Sequence, residues 1–153
     1  MKSQPPTPSL PCLCAGLRRA ARALTQIYDA ALRPTGLRAT QFTVLQALSL
    51  TGEVQQGALG RMLALDTTTL TRTLGILQRN GWIENRPGMD RRAKLVRLTR
   101  AGEGQLRRAW PCWEALQDRL RQSLGNGRWH QLLHAANDLP GRIAHSTMEK
   151  EMS

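Results

Sequence analysis

Lysine is nearly missing from this chain. Of 22 basic residues only Lys2, Lys94 and Lys150 are lysines, so arginine carries almost all the positive charge. Its planar fork of donors matches phosphate oxygens and guanine edges. Acidic residues are scarce too, 11 in all, which leaves a net charge of +11. A GC-rich genome explains arginine in place of lysine but not the excess of positive over negative. That excess points to a polyanionic partner, bound less tightly as salt rises. No apolar run approaches the about 20 residues of a membrane-spanning helix. The first eleven residues hold four prolines and no hydrophobic segment of signal-peptide length. The expectation is a cytoplasmic protein with no membrane partner, residues 1–9 forming a flexible arm. Cysteine is limited to three residues. An odd number in a reducing compartment argues against a disulfide framework and leaves metal binding, redox chemistry or simple burial. Glycine-rich phosphate loops and the His-Glu-x-x-His pattern are absent, and no Cys-His pair has a suggestive context. We therefore expect neither an enzyme nor a cofactor.

What is present is helical periodicity with one interruption. At 153 residues the chain suits one ordinary domain with a real core. Ser9 can cap a helix from about Leu10 to Leu32, stopped by Pro34 and Gly36. Cys14, Leu17, Ala21, Leu24, Tyr28 and Ala31 recur along it at spacings of three and four, a coiled-coil seam that calls for a partner helix. The other face carries Arg18, Arg19, Arg22 and Asp29. Thr40 can cap a second helix with Phe42, Val44, Leu45 and Leu48 apolar. A short third helix from Gln55 to Ala64 turns Leu59, Met62 and Leu63 inward. Asp66 or Thr67 caps a fourth, with a Leu70, Leu74, Leu77 stripe and Gly81 as its stop. The third and fourth helices are joined by only a few residues, which is helix-turn-helix spacing. Two short strands follow, Trp82 to Arg86 and Leu95 to Thr99, around a Pro-Gly-containing basic loop: a β-wing. Thr99 caps a long helix to about Leu124 that Pro111 should kink or split. Gly125-Asn126-Gly127 precedes a last helix, whose extent Pro140-Gly141 leaves open.

In a helix-turn-helix the second helix enters the major groove with its first turns nearest the bases. Those turns hold Thr67, Thr68, Thr69, Thr71 and Arg72. Threonine can bond a phosphate or a base edge, and arginine can take guanine bidentately. The wing carries Asp90, Arg91, Arg92 and Lys94. A narrow minor groove draws in arginine, and Asp90 is suited to pairing with Arg92 and fixing its direction. The plainer alternatives are a solvated helix start and a solvated charged turn.

These residues carry a resemblance. Asp90, Arg92, Leu98, Thr99 and Gly102 at their spacings, with Leu70-Thr71-Arg72 through Leu77 and Gly81-Trp82, resemble the MarR family of bacterial transcriptional regulators. The likeness spans roughly Leu13 to Leu139. It implies a mainly α fold with a small antiparallel β-wing: a winged helix-turn-helix in 37–99, flanked by dimerisation helices in 10–36 and 100–146, all in one domain from 10 to 153. It also implies a homodimer on palindromic operators in double-stranded DNA, most often a repressor, with affinity changed by a small-molecule or oxidant effector. A nonspecific architectural nucleic-acid binder is the alternative that the charge alone would allow.

Cys14 and Tyr28 share the apolar seam, about 21 Å apart at 1.5 Å rise per residue, so they can meet only across to another chain. This spacing resembles the organic-hydroperoxide-sensing branch of the same family. The resemblance implies Cys14 as the sensing thiol and Tyr28 as its partner across a dimer. Arg18 departs from that branch, which usually has a second tyrosine there. Cys112, or Cys12 locally, could resolve the oxidised thiol. A lone cysteine in an apolar seam is also commonly just a small buried hydrophobe. Cys12 and Cys14 at i,i+2 on a helix would point apart, and His130 and His134 read better as surface residues than as metal ligands, so no metal is expected. Trp110, Trp113 and Trp129 could line an apolar effector pocket, or serve as ordinary core.

Overall fold

The computed structural model describes residues 11–88 and 94–151, with side chains up to residue 143. The chain divides into two units, residues 1–113 and 114–153. In the first, α1 spans Leu13–Leu32 and a 3₁₀ turn Arg33–Thr35; α2 spans Ala39–Thr51, β1 Val54–Gln55, α3 Gln56–Leu63, α4 Thr67–Arg79, β2 Ile83–Pro87 and β3 Lys94–Leu98. Helix α5 runs Arg100–Leu124 and α6 Asn126–Glu151.

Several boundaries differ from the sequence reading for local reasons. Helix α1 begins at Leu13, with Cys12 as an extended N-cap, so Cys12 and Cys14 do not both sit on the helix. Thr40 does not cap α2. The cap region is Arg38, whose amide donates to the Gln41 side chain at 2.9 Å, while the Asp29 carboxylate of α1 accepts the Ala39 amide at 2.7 Å. An acidic side chain at an N-terminal turn meets both the orphan amides and the positive end of the helix dipole. Pro111 does not split α5, which is continuous through it. Proline removes one rung of the ladder, and Ala109 in the core with Trp113 packed against it holds the turn on either side. Pro140 likewise lies inside α6.

The core of the first unit is aliphatic. Leu32, Phe42, Val44, Leu45, Leu48, Leu59, Leu70, Leu74, Leu77, Ile83 and Val96 are buried in one cluster. At about 1.5–3 kcal/mol for each large apolar side chain, this burial is what sets α2, α3 and α4 against the sheet. Met62 does not join them and lies 53% exposed, because α3 is short and turns only Leu59, Gly60 and the half-buried Leu63 inward. The sheet has three strands in the order β1-β3-β2, all antiparallel, rather than two. The added strand is two residues long, with Val54 opposite Val96 and Gln55 opposite Leu95. The result is a mainly α winged helix with a small antiparallel sheet.

Exposed apolar side chains concentrate on α1, where Leu13, Leu17, Leu24 and Ile27 are 42–69% accessible. In the second unit Leu132 and Leu133 of α6 are also exposed. The Arg121 guanidinium lies 5.7 Å from the Trp129 ring centre. Trp110 and Trp113 gather instead with Phe42 in the first unit, ring centres 4.8–6.3 Å apart. No helix among the described residues is long and apolar enough to cross a membrane.

Candidate nucleic-acid interface

The helix-turn-helix is α3, a tight turn and α4. Gly60 permits their close approach: a Cβ there would stand 3.1 Å from Leu70 Cδ2. The turn passes through Ala64 in the left-handed region, φ 50°. Asp66 caps α4. Its carboxylate accepts from the Thr69 amide at 2.8 Å and from the Thr69 hydroxyl at 2.6 Å. The Thr69 hydroxyl, then its amide, hold the Asp66 carboxyl below the usual carboxylate range. At the other end Gly81, at φ 70°, closes a Schellman stop: its amide donates to Gln78 and that of Trp82 to Leu77.

Between these caps the helix has two faces. Leu70, Thr73, Leu74 and Leu77 are buried. Thr67, Thr68, Thr69, Thr71 and Arg72 are all exposed. Thr69 is partly committed, since its hydroxyl serves the Asp66 cap. The Gln56 side chain of α3 donates to the Thr71 hydroxyl at 3.4 Å. Arg72 enters no ion pair among the described residues.

The wing is anchored to this helix. Asn85 of β2 donates to Gln78 of α4 at 3.0 Å. The Thr99 amide and hydroxyl donate to the carbonyls of Trp82 and Gly81, at 3.1 and 2.6 Å. The same hydroxyl accepts the Gly102 amide at 3.1 Å, capping α5 as the sequence suggests. Glu84 pairs across the strands with Arg97 and, at 3.9 Å, with Arg86 two residues along its own strand. Pro87 lies opposite Lys94, which places exposed Lys94 at the first position of β3. Asp90, Arg91 and Arg92, assigned to the tip from sequence, lie outside the described residues. An open groove of about 940 Å³ lies against the start of α4, bounded by Gln56, Gly57 and Arg61 of α3, Thr67, and Lys94 of the wing. Sequence reasoning missed Gln56 and Arg61.

Cys14 and Cys12 are exposed, and Tyr28 is half-buried. Cys112 is half-buried and packs against the core. Among the described residues no cluster of three or more His, Cys, Asp or Glu is placed to hold a metal. His130 Nδ1 pairs with the Asn126 carbonyl at 2.7 Å, and His134 is exposed.

The profile of the MarR family matches residues 35–93, from the turn before α2 through the wing. The Mycobacterium tuberculosis transcriptional regulator MosR, solved in complex with DNA, superposes with a TM-score of 0.78 at 37% identity, over 89% of this chain and 98% of that one. The chain belongs to the MarR family. Among curated relatives, an uncharacterized helix-turn-helix transcriptional regulator of Bacillus subtilis, YwoH, is 36% identical over 87 residues, which is 57% of this chain and 64% of that protein. The multiple antibiotic resistance protein MarR of Salmonella typhimurium is 40% identical over 72 residues, 46% and 50% of the two chains. This MarR-family chain thus spans between half and about two thirds of the length of the curated relatives it matches.

Proposed function

We propose that the protein is a sequence-specific transcriptional regulator, a repressor in its usual mode, which binds duplex operators in the cytoplasm as a homodimer and catalyses no reaction. The observation that carries this is the outward Thr67–Arg72 face of α4, capped at both ends and tied to the wing strand through Gln78 and Asn85. Helix α4 enters the major groove, where Arg72 and the threonines meet base edges. The wing, with Lys94 at its base and Asp90, Arg91 and Arg92 beyond, lies over the neighbouring minor groove. Membership of the family, and the likeness to MosR as solved with DNA, support the same reading.

The dimer rests on the exposed apolar stripe of α1 and on the exposed leucines of α6, surfaces that a monomer in water would leave uncovered. A two-fold axis would set two copies of α4 about 34 Å apart, one helical turn of a palindromic site. Affinity is then set by a small-molecule effector or by oxidation of Cys14, whose thiol stands exposed on the same helix. A hydroperoxide would convert that thiol to a sulfenic acid, and condensation with a second thiol, Cys12 or Cys112, would release water and form a disulfide. Tyr28, on the same helix, would orient the thiol across the dimer.

Competition between the duplex upstream of the protein's own gene and a scrambled duplex tests the central reading. The expected result is a preference of at least about 10³ for the upstream duplex, with Arg72→Ala costing about 1–3 kcal/mol of that discrimination. Equal binding of both duplexes would leave a nonspecific architectural binder. Binding by reduced, peroxide-treated and Cys14→Ser protein tests the sensor: loss on oxidation in wild type alone supports it, and equal binding in all three leaves a small-molecule effector.

A further inference from the structure

The groove beside the start of α4 is built from two segments far apart in sequence, the first turn of α3, which begins at Gln56, and the first residue of β3, Lys94. The short strand β1 brings them together. Gln55, the residue before α3, pairs with Leu95, next to Lys94. Two cations face this groove. One is Lys94; the other is Arg61, whose guanidinium folds back along α3, its Nη1 3.7 Å from where a Cβ at Gly57 would stand. A larger residue at Gly57 would occupy that path. Neither cation enters an ion pair among the described residues. The acidic residue lining the groove is Asp66, and both its carboxylate oxygens already accept from Thr69. Gln56 adds an amide that reaches the Thr71 hydroxyl.

We infer that Arg61, with Lys94 and Gln56, clamps the phosphodiester backbone of the DNA strand that passes between the two groove-entering elements. The inference rests on the proposed DNA-binding reading and adds to it a sequence-independent grip outside α4 and the wing tip. Arginine presents a donor fork to phosphate oxygens, while the lysine supplies a point charge on the other wall. Contacts of this kind fix register and carry no base information. The roles therefore divide: Arg72 discriminates between sequences, and Arg61 holds any duplex.

The experiment is fluorescence anisotropy on the upstream and scrambled duplexes between 50 and 200 mM salt. It compares wild type, Arg61→Gln, Arg61→Lys, and Arg107→Gln as a control for a charge removed from α5. Arg61→Gln is expected to weaken binding by the same factor on both duplexes and to make the log–log salt slope shallower by about 0.9. Over that fourfold salt range its loss of affinity would be about 3.5-fold smaller than that of wild type. Arg61→Lys should restore the slope, and Arg107→Gln should leave it unchanged. An unchanged slope in Arg61→Gln, a loss confined to the upstream duplex, or an equal change in Arg107→Gln overturns the clamp. Wild type that binds neither duplex defeats the DNA-binding reading itself. Wild type with a steep slope that Arg61→Gln matches defeats the clamp alone.

Discussion

Gly102 is the position where the smallest substitution should do the most damage. A Cβ there would stand 1.9 Å from the carbonyl oxygen of Trp82, 2.8 Å from its carbonyl carbon and 3.2 Å from Leu98 Cδ2. Ordinary contacts between such atoms lie near 3.5 Å, so the methyl of Gly102→Ala requires a backbone retreat of more than 1 Å. The obstacle is a peptide group and cannot rotate aside. Its oxygen also accepts the Thr99 amide, so the retreat costs that hydrogen bond as well. Overpacking costs about 1–3 kcal/mol and the lost hydrogen bond about 1. Replacing glycine by alanine within a helix returns about 1. A net loss of about 1–3 kcal/mol remains, which in a chain of this size lowers the melting midpoint by about 2–12 °C. Gly104→Ala is the matched control, because a Cβ there meets only the tip of Arg107 at 3.8 Å. Thermal melts followed by circular dichroism decide the matter. If Gly102→Ala melted within a degree of wild type, the closeness of the Gly81–Trp82 turn to the start of α5 would be wrong.

Two further outcomes can be measured directly. Asp29→Ala removes the acceptor for the Ala39 amide and the 3.3 Å partner of Arg38, and should cost about 1–2 kcal/mol in denaturant titrations; an unchanged midpoint would mean that water caps α2 equally well. Asp66 has a depressed pKa in the folded state, so its contribution is present above the unfolded value of about 3.9 and is lost as pH falls through the lower folded one. Asp66→Asn, which still caps, should match wild type at neutral pH and unfold less steeply with acid below about pH 4; parallel acid titrations would refute the assignment.

Helix α4 was legible because its boundaries are written in side-chain chemistry. Asp66 and Gly81 are strong punctuation, and the Leu70, Leu74, Leu77 stripe fixes which face turns inward. From that, the exposure of Thr67, Thr68, Thr71 and Arg72 follows. The commitment of the Thr69 hydroxyl was not legible, because either of two neighbouring residues could have been the cap. Strand β1 left no pattern, since two residues cannot show a period of two. With it went the meaning of Gln56 and Arg61, whose place beside the wing depends on pairing to a strand some 40 residues later. The cap of α2 was hidden for a similar reason. Its acceptor, Asp29, sits ten residues upstream on another helix and reads as one more charge on a solvated face.

These long-range ties have a common end. Asp29 binds the C-terminal half of α1 to the first turn of α2. Just beyond, Thr35 is buried, and its carbonyl accepts the Gln105 side chain of α5 at 2.6 Å while its hydroxyl donates to the Leu32 carbonyl. Gln105 is itself only 4% exposed. The turn between α1 and α2 is therefore fixed from both sides, by a carboxylate and by an amide. If α1 is the helix that meets a second protomer, this turn is one of the routes by which a shift in that helix reaches α2 and, through it, α4. Gln105→Leu keeps the bulk of the side chain but leaves the Thr35 carbonyl buried without this donor, a loss of about 1–3 kcal/mol. The consequence specific to coupling is different: operator affinity in the variant should respond less to whatever oxidant or ligand acts at α1. A stability loss with the full response retained would show that the hydrogen bond holds the turn but does not transmit its movement.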